Sequence, residues 1–196
     1  MLYRKKVYYL TLLEMKKKIL GMIEELNTDS TVLTGDPDIA AKINEVINQV
    51  MFDLVRIKKI PKFVEIEVHK GDLITFTDIE SACGYEIQQL ATVGGVSYES
   101  KADGTVLKIL EDGTLEVNCY VYPERITEGT KDKSYEFELT ADLLEILPYG
   151  VAGDLLKSDE SAGFGNIYSS RYESMKQTID TRYQTLQMTI DGGYNV

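Results

Sequence analysis

The feature that most constrains this chain is a change of hydrophobic period at Pro61. Upstream, Ile39, Ile43, Val46, Ile47, Val50, Leu54 and Ile57 form one apolar stripe, about six helical turns long. Asp36 and Pro37 open it as N-cap and first helical residue. Lys58 and Lys59 suit its negative C-terminal pole, and Pro61 ends it. Downstream, Val64, Ile66 and Val68 alternate with Glu65, Glu67 and His69, which is the period of a half-buried strand ending at Gly71-Asp72. Burying the helical stripe stabilises by roughly 1.5–3 kcal/mol per large side chain before entropy is subtracted. The chain therefore combines a core helix with a sheet, and the fold class is α+β.

The flanks extend both halves of that pattern. Thr11-Leu12-Leu13-Glu14 fits a capping box, and Leu12, Met15, Ile19, Met22, Ile23 and Leu26 continue it as a helix. Asn27 to Gly35 reads as a turn-rich connection. Further strands are expected at Leu73–Phe76, Tyr85–Leu90, Thr105–Leu110, Leu115–Tyr122 and Ser134–Leu139. Asp103-Gly104 and Asp112-Gly113 read as hairpin turns, because such turns require positive φ. Helix returns behind Thr140 with Leu143, Leu144, Ile146 and Leu147, is expected to kink or restart at Pro148, and runs to about Lys157. After a connection at residues 158–161, a last helix carries Phe164, Tyr168, Tyr172, Met175, Ile179, Tyr183 and Leu186 at the spacing of a bundle seam. Gln187 to Val196 is expected to be extended. The expected architecture is a bundle of four main helices interrupted by an antiparallel β insertion. Its parts are residues 1–62 and 140–196, the second with an extended tail, around an inserted domain at 63–139.

Charge and composition then narrow the function. The 196 residues carry 21 basic and 32 acidic side chains, a net charge of −11. Residues 1–18 hold Arg4, Lys5, Lys6, Lys16, Lys17 and Lys18 against Glu14 alone, which leaves −16 on the rest. An acidic body argues against ordinary nucleic-acid binding, since duplex affinity depends on neutralising phosphates. A basic arm on an acidic body favours head-to-tail contact between copies, or is simply solvated. The basic start followed by Val7 to Leu13 imitates a signal peptide, but Glu14 ends the apolar run and no small-residue cleavage site follows. No stretch approaches the roughly 20 apolar residues of a membrane span, so no membrane partner is expected. Cys83 and Cys119 read as free thiols of a reducing compartment.

Catalytic chemistry finds little to work with. His69 is the single histidine, set on the polar face of a strand, and with two distant cysteines it has no recognised zinc-ligand spacing. A serine or cysteine nucleophile would have only His69 as its histidine base. Gly94-Gly95, Gly163-Phe164-Gly165 and Gly192-Gly193 lack the lysine and register of a phosphate loop. Asp36-Pro37-Asp38 begins like a calcium loop, but Ile39, Ala40 and Ala41 stand where oxygen ligands are required. No enzyme, cofactor or metal is expected. The 13 tyrosines against no tryptophan are the remaining oddity. Tyrosine suits interfaces because its ring is buried while its hydroxyl stays hydrated. Tyr120, Tyr122 and Tyr194 are candidates for that use, whereas Tyr168 and Tyr172 read as core.

Residues 143–183 carry a resemblance. Leu147-Pro148-Tyr149, Ala152, Leu155-Leu156, Asp159, Phe164, Tyr172 and Met175 resemble the closing helices of tailed-bacteriophage head-to-tail connector and adaptor proteins. The order of elements, with its β insertion, resembles the short-tailed-phage adaptors. The resemblance implies a structural subunit of the virion neck, assembled in the host cytoplasm. Its partners would be other copies in a ring, dodecameric in that family, a portal protein, and downstream tail proteins. DNA would pass through the lumen without specific binding. It further implies portal contact through the C-terminal segment, where Ile190, Tyr194 and Val196 are apolar enough to anchor. Arg4, Lys5, Lys6, Tyr120 and Tyr122 are the candidates for contact between subunits. Two other readings stay open: another tail ring, tail-completion or baseplate component, and a carbohydrate-binding or hydrolytic module with its site on the β region.

Overall fold

The computed structural model describes residues 10–27, 33–101, 105–157 and 162–179. The chain divides into two compact units, one of residues 1–58 with 125–196 and one of residues 59–124.

The first unit is helical. Helix α1 (Leu12–Met22) starts at the expected capping box, with Thr11 and Glu14 satisfying each other's backbone amides. It buries Leu12, Met15, Ile19 and Leu20. Helix α2 (Pro37–Ile57) starts at Asp36, whose carboxylate accepts from the amides of Asp38 and Ile39. Its expected stripe supplies Ile43, Ile47, Val50 and Leu54 to the core, joined by Met51 and Val55. Residues 125–139 pack here as well. The amides of Leu12 and Leu13, which lack partners inside their own helix, donate to the carbonyls of Tyr135 and Asp132. Asn48, buried in α2, donates to the carbonyl of Ile126 at 2.8 Å and accepts from its amide at 2.9 Å. Tyr135, Phe137 and Leu139 are buried while Glu136 and Glu138 are exposed. The alternation read in Ser134–Leu139 is therefore real, but it caps α1 with a single bridge, Thr11 to Glu136, and joins no named strand.

Helix α4 (Ala141–Leu155) runs through Pro148 without a restart. Pro148 and the neighbouring Leu147, Gly150, Val151, Ala152 and Gly153 are buried, so packing outweighs the backbone hydrogen bond that proline removes. Helix α5 (Ala162–Lys176) ends ten residues short of the expected Leu186, and Ile179 lies beyond it. Tyr183, Leu186 and the tail from Gln187 lie outside the described residues.

The second unit holds two three-stranded antiparallel sheets around one core. Strand β1 (Ile60–Val68) pairs with β6 (Gly113–Val121), which also pairs with β3 (Ile87–Gly94). Strand β5 (Val106–Ile109) lies between β2 (Leu73–Thr75) and β4 (Tyr98–Lys101). Val68, Ile87, Leu115, Val117, Cys119 and Val121 from the first sheet meet Leu107 and Ile109 from the second. Helix α3 (Phe76–Cys83) adds Ile79 to the same cluster.

These elements overturn the expected architecture. In place of four main helices interrupted by one antiparallel insertion, the described residues form five helices and two small sheets, with one helix inside the β region. Phe76 begins α3 instead of ending a strand, because Thr75 and Asp78 make a second capping box and Gly84, at φ +76°, closes the helix. Asp112-Gly113 is not a hairpin turn either. The strands on its two sides belong to different sheets, and Leu110 to Asp112 carry the chain across, with Asp112 accepting from the amide of Lys70. Asp103-Gly104 lies outside the described residues.

Candidate functional site

Of the residues that carried the resemblance, Asp159 lies outside the described residues, and the others fall on one packed pair, α4 against α5. Glycine makes the approach possible. A Cβ on Gly153 would sit 2.5 Å from Ser169 Oγ, and one on Gly165 would sit 3.1 Å from Leu156 Cβ. A Cβ on Gly150 would meet Val50 of α2 at 2.6 Å and the Tyr172 ring at 2.9 Å. The face of α5 that meets α4 is therefore Gly165, Ser169 and Tyr172. That corrects the expected seam in one place: Phe164 points outward, 66% exposed, beside Ile167 at 63%. The Gly163-Phe164-Gly165 cluster, read only as a failed phosphate loop, was the signal for the close contact.

A polar clamp joins α5 to α2. The Tyr172 hydroxyl donates to Asp53 Oδ2 at 2.6 Å, and the Lys176 ammonium donates to the same oxygen at 2.8 Å. Burial, and then the bond to Asp53, push the Tyr172 hydroxyl far up, so it stays a donor. Partial burial raises the Asp53 carboxyl, but the bonds from Lys176 and Tyr172 outweigh it and hold the group below the ordinary range. Desolvation lowers Lys176, and its contacts with Asp53 and Glu173 more than reverse that. Each charge is met, so the clamp positions a helix and holds no reactive base. Asp53, Asp154, Lys157, Ser169 and Glu173 line a notch of about 250 Å³ over this clamp.

A second hollow, about 200 Å³, is more apolar. Met22, Ile23, Glu24, Leu156, Phe164 and Tyr168 line it, and the Tyr168 hydroxyl donates to the Met22 carbonyl at 2.6 Å. Exposed Phe164 and Ile167 stand alongside it, an apolar pair on the surface of α5.

The residues singled out from sequence fall elsewhere. His69 is 85% exposed with Nδ1 3.6 Å from Asp112, at the surface of the β unit. Tyr120 is partly buried on the outer face of β6, with the Lys59 ammonium 4.9 Å from its ring centre. Tyr122 is partly buried and its amide donates to the Glu86 carbonyl. Arg4, Lys5, Lys6, Ile190, Tyr194 and Val196 lie outside the described residues. Cys83 and Cys119 are both free thiols. Among the described residues no group of three His, Cys, Asp or Glu side chains is placed to hold a metal ion, and no helix is long and apolar enough to cross a membrane. No protein-family model matches the chain, and no curated protein matches its sequence.

Proposed function

We propose that this chain is a structural subunit of a tailed-phage neck, a head-to-tail adaptor whose copies close into a ring on the portal around the DNA channel. The observation that carries the reading is the α4–α5 pair. Within the stretch that resembles adaptor proteins, α4 and α5 pack through glycines and turn Phe164 and Ile167 outward beside a hollow lined by Met22, Ile23, Glu24 and Leu156. A ring of identical copies needs such a patch, because its head-to-tail contacts bury one surface of each subunit against a different surface of the next. The net charge of −11 suits a channel wall that DNA must pass without being held. The work of the protein is then binding, and no bond is broken. Ile190, Tyr194 and Val196 would contact the portal.

Negative-stain imaging and mass photometry of the full chain, alone and with a portal ring, test the reading. Closed rings, or rings formed on the portal, are expected. Truncation after Tyr183 should leave circular dichroism unchanged and abolish co-sedimentation with the portal. A chain that stays monomeric with and without the portal, and that binds members of a glycan panel, would overturn the proposal in favour of a carbohydrate-binding module.

A further inference from the structure

The β unit ends in two unlike edges. At one, β3 is broken by register shifts between Ile87 and Gln89 and between Leu90 and Thr92, the bulges that blunt an edge against further pairing. At the other, β1 runs nine residues in unbroken register with β6, from Ile60 opposite Val121 to Val68 opposite Gly113. Unbroken edges of that length are templates for an added strand.

Charge selects what β1 would accept. Its outward side chains Phe63, Glu65 and Glu67 are exposed, and Glu65 stands directly opposite Glu116 of β6. Like charges in that position destabilise a sheet. Among the described residues none of these three glutamates has an ion-pair partner. The whole unit, residues 59–124, holds five lysines against twelve carboxylates. A second β1 would be repelled here, and a basic strand would be welcomed. The chain itself carries one. Residues 2–9 read Leu-Tyr-Arg-Lys-Lys-Val-Tyr-Tyr, three cations among tyrosines and a valine that favour strands. At about 3.3 Å per residue they span roughly 26 Å, close to the roughly 30 Å of β1.

We propose that β1 is the acceptor for the N-terminal arm, residues 2–9, of a second copy of this chain, added antiparallel to the sheet. Side-chain spacing sets the register. Strand neighbours two apart share a face, so Arg4 and Lys6 meet Glu67 and Glu65, and Tyr8 covers Phe63. Lys5 falls on the opposite face and reaches solvent past the edge. Leu10, the first described residue, accepts at its carbonyl from the amide of Phe137 in the helical unit. An arm rooted in the helical unit of one copy and seated on the β unit of the next makes a head-to-tail contact, which rests on the reading of a self-assembling subunit.

Charge exchange in the full chain tests it. Arm reversal (Arg4→Glu with Lys6→Glu) and edge reversal (Glu65→Lys with Glu67→Lys) should each weaken self-association by about tenfold or more, as like charges at an interface do. An equimolar mixture of the two variants should regain it, because every arm then meets an opposite edge. Mass photometry reads assembly, and circular dichroism checks that each variant is folded. A synthetic peptide of residues 1–10 should inhibit assembly of the unmodified chain, a readout independent of any variant. If a chain carrying all four substitutions assembles while the mixture does not, the arm sits on its own sheet and the proposal fails. If the unmodified chain forms rings that neither reversal nor the peptide weakens, the arm contact fails and the ring reading stands. An unmodified chain that never self-associates, with or without a portal ring, overturns both.

Discussion

The two units close their cores by different means. The β unit relies on strict alternation: every second residue of β6 from Leu115 to Val121 is buried, and the sheets meet through ordinary apolar side chains. The helical unit relies on close approach and on polar groups satisfied far along the chain. Gly150 and Gly153 let α2, α4 and α5 touch, Asn48 reaches Ile126, and Tyr172 with Lys176 closes on Asp53. The β unit depends on missing Cβ atoms too, but beside its strand ends, at Gly95 and Gly113, and not between its buried side chains.

The sharpest way to break the comparison is to remove the β unit. Ile60 is paired with Val121, about 5 Å away as neighbouring strands are, so the ends of the excised segment lie within a few residues' reach of each other. A short glycine-serine linker in place of residues 60–123 should leave a cooperative helical melt. Replacing residues 64–138 instead removes Ile126, Tyr135 and Phe137, all buried in the helical unit. Truncating one large core side chain costs about 2–5 kcal/mol, so losing these together should abolish the melt, read by circular dichroism at 222 nm. Loss of the melt in both replacements would show that the units share one core.

A smaller effect separates the units by single substitutions. Gly153→Val would place its Cβ 2.5 Å from Ser169 Oγ and 3.0 Å from the Ser169 backbone nitrogen. Backbone cannot swing aside, so a loss near 3 kcal/mol is expected, the upper part of the overpacking range. Gly95→Val is the counterpart in the β unit, where φ is +83° and a Cβ would sit 2.2 Å from the Thr114 carbonyl oxygen. In urea titrations the first should lower the midpoint of the helical signal, the second that of the amide NMR signals of β-unit residues. A common shift of both signals by both variants would show a single cooperative unit.

What the sequence disclosed follows from how local each signal is. Thr11 with Glu14, Asp36 with Pro37, and the two-residue periods of β1 and β6 act within a few residues, and each was legible. The pairing partner of a strand is not local. Asp112-Gly113 has hairpin chemistry, yet β5 and β6 leave it for different sheets, which no property of the dipeptide reveals. Thr75 and Asp78 did carry a helix signal, but Leu73 and Ile74 before them alternate like a strand and drew the reading. In the site, Tyr172 was legible as core from its spacing. Its bond to Asp53, 119 residues away in sequence, was not. Phe164 took the seam position in a pattern of apolar spacing because that pattern counts bulky residues, whereas the contact is made by Gly165, where bulk is absent.

The smallest expected effect is on pH, and here the two units should differ on the alkaline side. In the helical unit, Asp53 and Asp142 are each raised by partial burial but lowered more by their hydrogen bonds, from Lys176 and Tyr172 in one case and Lys58 in the other. A carboxyl whose folded value lies below its unfolded value of about 3.9 adds stability above that value. The contribution is lost as pH falls from there through the folded values. In the β unit the buried Cys119 thiol is pushed up to about 11, first by desolvation and then by Cys83. The unfolded thiol ionises near 8.5, so between that pH and about 11 the unfolded chain binds fewer protons and folding weakens as pH rises. Asp78 and Glu111 of the β unit are also held low, by hydrogen bonds from Thr75 and Ser97, so both signals should show the acid loss. Between about 8.5 and 10, below the ordinary ionisation of tyrosine, the β-unit signal should weaken alone, in denaturation midpoints measured across pH. Cys119→Val keeps the apolar contact and removes the titrating group, so it should flatten the alkaline limb alone. Asp53→Asn should shrink the acid limb and leave the alkaline one intact. If Cys119→Val leaves the alkaline limb unchanged, lysine and tyrosine ionisation drives it, and the contrast between the units then rests on packing.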